Sequence, residues 1–192
     1  MERITSRIRH HFLHTPIHTT TTTNCDIWEE ALVRENGYVF FSDIDNDEAT
    51  RETISLAADT EAGCVLVQTS HYEITGDHKL NATELRVGEG ANLTLSTDSA
   101  EVAEQILVNN AKLTVEGTEL AADITATNAA TVNLVADATV NGDITTSNAN
   151  LGIDNSTVTG KLALAETKAA ITHSATVTGD ISFNTTPADQ LP

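Results

Sequence analysis

Apolar and polar residues alternate along most of this chain, and the alternation returns every 18 to 21 residues between Leu85 and Phe183. Leu113-Thr114-Val115 and Ile181-Ser182-Phe183 show the unit: apolar, polar, apolar. A period of two marks a strand with one face inward. Three apolar columns hold phase over five copies. The first runs Leu95, Val115, Leu134, Ile153, Ile171, in steps of 20, 19, 19 and 18. The second runs Val102, Leu120, Val140, Val158, Val177, in steps of 18, 20, 18 and 19. The third runs Ile106, Ile124, Ile144, Leu162, Ile181, with the same steps as the second. Each copy is too short to bury its own apolar face, so the copies must stack.

The residues between the short strands are those a corner needs. Asn141-Gly142, Thr159-Gly160 and Thr178-Gly179 fall between the second and third columns, where a permissive φ is expected. Asn110, Asn128 and Asn148 precede the first column, and Asn tolerates the left-handed conformation. Three strands and three corners per copy predict an all-β fold, a single β-solenoid (β-helix) with 18–21-residue coils and a flexible N-terminal segment. About six small or branched side chains point inward per coil, each worth roughly 1.5–3 kcal/mol when buried. Ala at inward positions, with Ala170 read as one, implies a narrow cross-section. Upstream, Tyr72, Ile74, Leu80, Leu85 and Val87 fit a preceding coil, and Thr53–Leu56 with Cys64–Val67 offer one more.

The expected organisation is therefore a basic, Thr-rich N-terminal tail or membrane-contacting segment (1–24) and a cap or irregular first coil (25–70). The solenoid (71–183) and a C-terminal tail (184–192) follow. Composition narrows the function. Asp and Glu total 28 against 10 Lys and Arg, a net charge of -18 that repels nucleic-acid phosphates. Only 4 of the basic residues are Lys, a bias that fits either an ordinary acidic protein or a high-salt cytoplasm. Two cysteines in different segments, Cys25 and Cys64, do not make a disulfide framework, so a reducing compartment is the default. No apolar run reaches 18 residues and no apolar leader opens the chain, so neither a membrane span nor a Sec signal is expected.

The first residues oppose the rest in charge. Arg3, Arg7 and Arg9 stand against a single acid, Glu2, and Ile4, Ile8 and Phe12 recur at helical spacing beside them. Such a stripe suits an anionic membrane surface; a cap over the first coil or a plain tail are the alternatives. Metal chemistry is less well supported. His10, His14 and His18 share a helical face, but Pro16 interrupts it. Asp43, Asp45 and Asp47 alternate like a calcium loop, yet Glu48 and Ile54 occupy its Gly and Glu positions, which excludes an EF-hand. His71, His78 and His173 are scattered over distant coils, and the coils are too equal in length to build a cleft. No catalytic, metal or cofactor site is expected, and the chain is read as no enzyme. The residue before the third column is Gln105, Asp123, Asp143, Lys161 and Asp180 in turn. It predicts an outer polar ladder in which Lys161 separates Asp143 from Asp180 while Asp123 and Asp143 repel.

Three successive coils carry a family pattern. Ala138-Thr-Val-Asn-Gly-Asp-Ile144, Ser156-Thr-Val-Thr-Gly-Lys-Leu162 and Ala175-Thr-Val-Thr-Gly-Asp-Ile181 resemble the recurring coils of bactofilins. The resemblance covers residues 111–183 well and 74–110 loosely. It implies a cytoskeletal β-helix that polymerises end to end without nucleotide, sometimes with an N-terminal membrane-binding segment, a role for which Arg3 to Leu13 is the candidate. The family is usually richer in Gly and Lys, and residues 25–69, with the only Trp, do not match its simple coils.

The ends of a stacked coil are a separate argument. They present unpaired N–H and C=O groups and apolar side chains, and natural solenoids cap them. Only nine residues, two of them proline, follow Phe183, so Ile181 and Phe183 are the expected self-association surface. The function expected is a non-enzymatic, self-assembling cytoskeletal scaffold with a role in cell shape, cytoplasmic and possible at the inner face of the membrane. Its partners would be itself, an anionic membrane and another cytoskeletal or envelope protein, with no nucleic acid. The alternative is a secreted or surface β-solenoid adhesin or fibre protein.

Overall fold

The computed structural model describes residues 38–42, 51–68 and 71–184, with side chains from Thr53 onward. All regular structure among them is β-strand, and the strands wind into a β-solenoid of about six turns. The first turns hold β1 (Tyr38–Ser42), β2 (Arg51–Ser55) and β3 (Thr60–Gln68). Two long, bent strands follow, β4 (His71–Val87) and β5 (Asn92–Asn109). Each later coil is broken into three. These are β6 (Lys112–Glu116), β7 (Glu119–Ala121) and β8 (Ile124–Thr127), then β9 (Thr131–Val135), β10 (Thr139–Val140) and β11 (Ile144–Ser147). The next coil holds β12 (Asn150–Asp154), β13 (Thr157–Val158) and β14 (Leu162–Ala165), and the last β15 (Lys168–Thr172), β16 (Thr176–Val177) and β17 (Ile181–Asn184). Every pairing is parallel and joins a strand to its counterpart one coil away.

The columns form the core. Leu95, Val115, Leu134 and Ile153 are successive register partners and are fully buried. Ile106, Ile124, Ile144 and Leu162 likewise stack in line. The second column needs one correction. Leu120 pairs with Ala100, not Val102, and Val102 lies beside Ala82. Six positions separate Ala100 from Ile106, against four between Leu120 and Ile124, so β5 takes up two extra residues within its turn. Both Ala100 and Val102 are buried there, which is why either fits an apolar column. Ala170 is also corrected: it pairs with Gly152 in the outer row of Thr94, Thr114 and Asn133, while Ala169 continues the inward row behind Leu151. Upstream, Arg51–Ser55 stacks on His71–Thr75 and Cys64–Val67 on Glu84–Val87.

Glycine and Asn sit at the corners for different reasons. Asn110, Asn128 and Asn148 adopt φ of 46°, 56° and 49°, as expected of residues that tolerate the left-handed region. Gly142, Gly160 and Gly179 do not have positive φ. They are required because a Cβ on each would lie 2.0, 2.1 or 2.2 Å from the carbonyl oxygen of Ala122, Gly142 or Gly160 in the preceding coil. Close approach, not backbone freedom, selects glycine at this corner.

The outer ladder is built on backbone rather than on charge pairs. Asp143 N–H donates to Asp123 Oδ1 at 2.8 Å, and Lys161 N–H donates to Asp143 Oδ1 at 2.7 Å. Each carboxylate thus tethers the following coil, and this hydrogen bond offsets the repulsion expected between Asp123 and Asp143. Lys161 forms no ion pair with Asp143 or Asp180 among the described residues. Asn128 Nδ2 to Asn109 Oδ1 and Asn155 Nδ2 to Asp137 Oδ1, both 2.7 Å, repeat the coil-to-coil pattern at other corners.

Candidate self-association surface

A side chain inside this stack is shielded by the coils before and after it, so the same column position changes exposure where the stack stops. Ile153 is fully buried, and its partner Ile171 is 43% exposed. Leu162 is fully buried, and its partner Ile181 is 43% exposed. Leu164 is 4% exposed, and its partner Phe183 is 70% exposed. These three are the exposed large hydrophobic residues of the described chain, and all lie on the last coil. Among the described residues its strands pair on one side only: β15 with β12, β16 with β13, β17 with β14. Their other edges present backbone donors and acceptors without a strand partner.

Ile181 and Phe183, singled out by sequence, therefore stand together at one end. Ile171 belongs with them and was recognisable only as a column member. Phe183 extends a fourth inward row of Val108, Ala126, Thr146 and Leu164. Period-two spacing from the third column carries that row, but Ala and Thr among its members hide it. Thr146 is buried, with its hydroxyl 2.8 Å from Thr167 Oγ1.

No family model, curated protein or solved structure matches the chain.

Polar residues ring the same end. Asp154 Oδ1 is hydrogen-bonded by His173 Nδ1 and, at 3.0 Å, by Thr172 Oγ1. These two donors, His173 first, hold the Asp154 carboxyl below its ordinary range. Asp180 stands where Asp123 and Asp143 grip the next coil's backbone, but no further coil meets it among the described residues. Elsewhere Lys79 Nζ lies 2.8 Å from Glu101 Oε2 and depresses that carboxyl, mainly through the hydrogen bond.

The remaining candidate chemistry is dispersed. His71 Nε2 lies 2.7 Å from Asn92 Nδ2 in a shallow open groove floored by Leu93 and Thr114. His78 lies 3.6 Å from Asp59. No three His, Cys, Asp or Glu converge among the described residues. Arg3, Ile4, Arg7, Ile8, Arg9 and Phe12, the expected membrane-contact residues, lie outside the described residues, as do His10, His14, His18 and the Asp43–Asp47 turn. No described helix is long and apolar enough to cross a membrane. One expectation is overturned. Cys64 is disulfide-bonded, where two cysteines in different segments led to the expectation of no disulfide framework.

Proposed function

We propose that this protein is a non-enzymatic scaffold that self-associates through the C-terminal end of its solenoid. The observation carrying this reading is the single end face on which Ile171, Ile181 and Phe183 are exposed beside unpaired strand edges. Covering three large apolar side chains and completing backbone hydrogen bonds favours a second copy of the same end, or a further coil of another chain. The bactofilin-like coil sequence supports the finer reading, a cytoskeletal polymer at the inner face of the membrane with a role in cell shape. Light scattering and negative-stain microscopy of purified protein, at low and at molar salt, test the assembly. Dimers or filaments that strengthen with salt are expected, because screening relieves the repulsion of a -18 chain. A monomer under all conditions removes the basis of the proposal.

A second reading is favoured by one observation. The Cys64 disulfide suits an oxidising compartment, and with it a secreted or surface β-solenoid adhesin or fibre. Cell fractionation separates the two: recovery with the cytosol or inner membrane supports the cytoskeletal scaffold, and recovery outside the cell supports the fibre.

A further inference from the structure

One outer face of the later coils carries no charge, and its two borders carry opposite ones. Along β8, β11 and β14 alternation turns Thr125, Thr127, Thr145, Ser147, Ala163 and Ala165 outward, all exposed or half-buried. The outward residues of β17 and of the end of β5 are likewise uncharged. Neighbouring faces are not, with Lys112 and Glu116 on β6 and Glu119 on β7. The residue before each strand of the neutral face forms one border: Asp123, Asp143, Lys161 and Asp180. The other border lies just past the following corner, where Lys112, Thr131, Asn150 and Lys168 stack in register. Lys112 and Lys168 are three coils apart, and so are Asp123 and Asp180. All four side chains are exposed. Of the four lysines, Lys79 alone has an ion pair among the described residues, although the chain holds 28 acids.

We infer that a second copy of the chain docks on this neutral face, side by side, with the two solenoid axes parallel and their coils level. Turning one copy by half a revolution about a line parallel to its axis lays face on face and exchanges left and right. Each lysine border then meets an acidic border. Lys112 faces Asp123 of the second copy and Lys168 faces Asp180, coil for coil, and the symmetry makes each pair twice. Glu166, in the corner after Ala165, falls opposite Lys161 of the second copy. Thr131, opposite Asp143, is neutral, so no like charges meet. The antiparallel arrangement sets Lys112 against Lys168 and Asp123 against Asp180, which repel. Facing sheets pack about 10 Å apart, a gap that an extended lysine and an aspartate bridge together. The face measures about 24 Å along the axis and about 13 Å across, about 300 Å² per copy. A stable complex buries nearer 800 Å² per partner, so one pair alone is weak. Copies already joined end to end multiply the contact. The surface is separate from the coil end, so this inference does not depend on how that end assembles.

The test uses the full chain carrying Phe183→Arg, which weakens the end contact, and reads dimerisation by sedimentation equilibrium. The salt is about 0.15 M, where a Debye length of about 8 Å screens distant charges of the chain more than pairs in contact. Lys112→Glu with Lys168→Glu makes both borders acidic and should raise the dissociation constant at least tenfold. Asp123→Lys with Asp180→Lys makes both borders basic and should do the same. An equal mixture of these two variants should associate again, at least as tightly as the unswapped chain. Asp123 also accepts the Asp143 N–H, so circular dichroism accompanies that variant. Should it unfold, Asp180→Lys alone takes its place in the mixture and should weaken self-association several-fold. Molar salt should weaken this contact, the reverse of the trend expected of the end. A lysine-swapped chain that pairs as well as the unswapped one, a mixture that fails to associate, or no dimer of the unswapped chain overturns the inference.

Discussion

Gly160 sits so close beneath Gly142 that a Cβ on it would lie 2.1 Å from the Gly142 carbonyl oxygen. The contact is with backbone, which cannot move without shifting a whole coil. Gly160→Ala should therefore cost about 3 kcal/mol and lower the melting temperature clearly. Gly88→Ala is the control, since its new Cβ would meet nothing closer than 3.4 Å. Equal melting of the two variants would show that the corner tolerates expansion.

Val140 is fully buried between Leu120 and Val158, whereas Thr139 beside it points outward. Val140→Asp places an unpaired carboxylate in the stack and should cost about 4 kcal/mol or more, enough to unfold neighbouring coils. Thr139→Asp should change the thermal midpoint little. Guanidinium titration of both variants checks the inward and outward assignment directly.

Phe183→Arg should leave the monomer folded, because Phe183 is packed only on its Leu164 side. Across a joined end it replaces apolar contact with charge. Association should weaken by on the order of 2 kcal/mol, about thirtyfold in dissociation constant. Analytical ultracentrifugation of wild type and variant at matched salt measures this. Unchanged association would move the contact away from this end.

Lys79 holds the Glu101 carboxyl below its ordinary pKa. A depressed carboxyl stabilises the fold above its ordinary pKa and loses that contribution as pH falls through the folded value. Lys79→Ala should therefore raise the Glu101 titration midpoint seen by carbon-detected NMR. Any stability gap between the proteins should exist at neutral pH and close in acid. A midpoint unmoved by the substitution would mean the pair does not persist in solution.

Removing residues 1–15 should leave the β-rich circular dichroism intact while weakening sedimentation with anionic liposomes, because it deletes Arg3, Arg7 and Arg9. Unchanged liposome binding, or loss of the folded signal, would end the membrane-contact reading.

Much of the fold was legible because the core is a column of repeated side chains, and repetition survives in sequence. Leu95 to Ile153 and Ile106 to Leu162 could be aligned by eye, and the structure pairs them residue by residue. What failed was local. Val102 and Ala100 are both apolar and two apart, so alternation alone could not say which stacks on Leu120. Alanine is equally ambiguous at positions 169 and 170. The corner glycines were found for the wrong physical reason, since crowding between coils leaves no trace in a single copy. The exposed end was legible at Ile181 and Phe183, but the small cluster of Cys64 and Leu66, apart from the main core, was not. Its apolar character reads as core when seen without the alternation of Val65 and Val67.

The carboxylate row gives the stack a direction. Asp123 grips the N–H of Asp143, and Asp143 that of Lys161, always from earlier coil to later. The row is a set of hooks and eyes, and its last hook, Asp180, meets no eye among the described residues. Two such ends brought face to face bring hook to hook, and a bound cation or high salt would have to mediate between them. Ionic conditions therefore bear on whether two copies pair about a two-fold axis through this end.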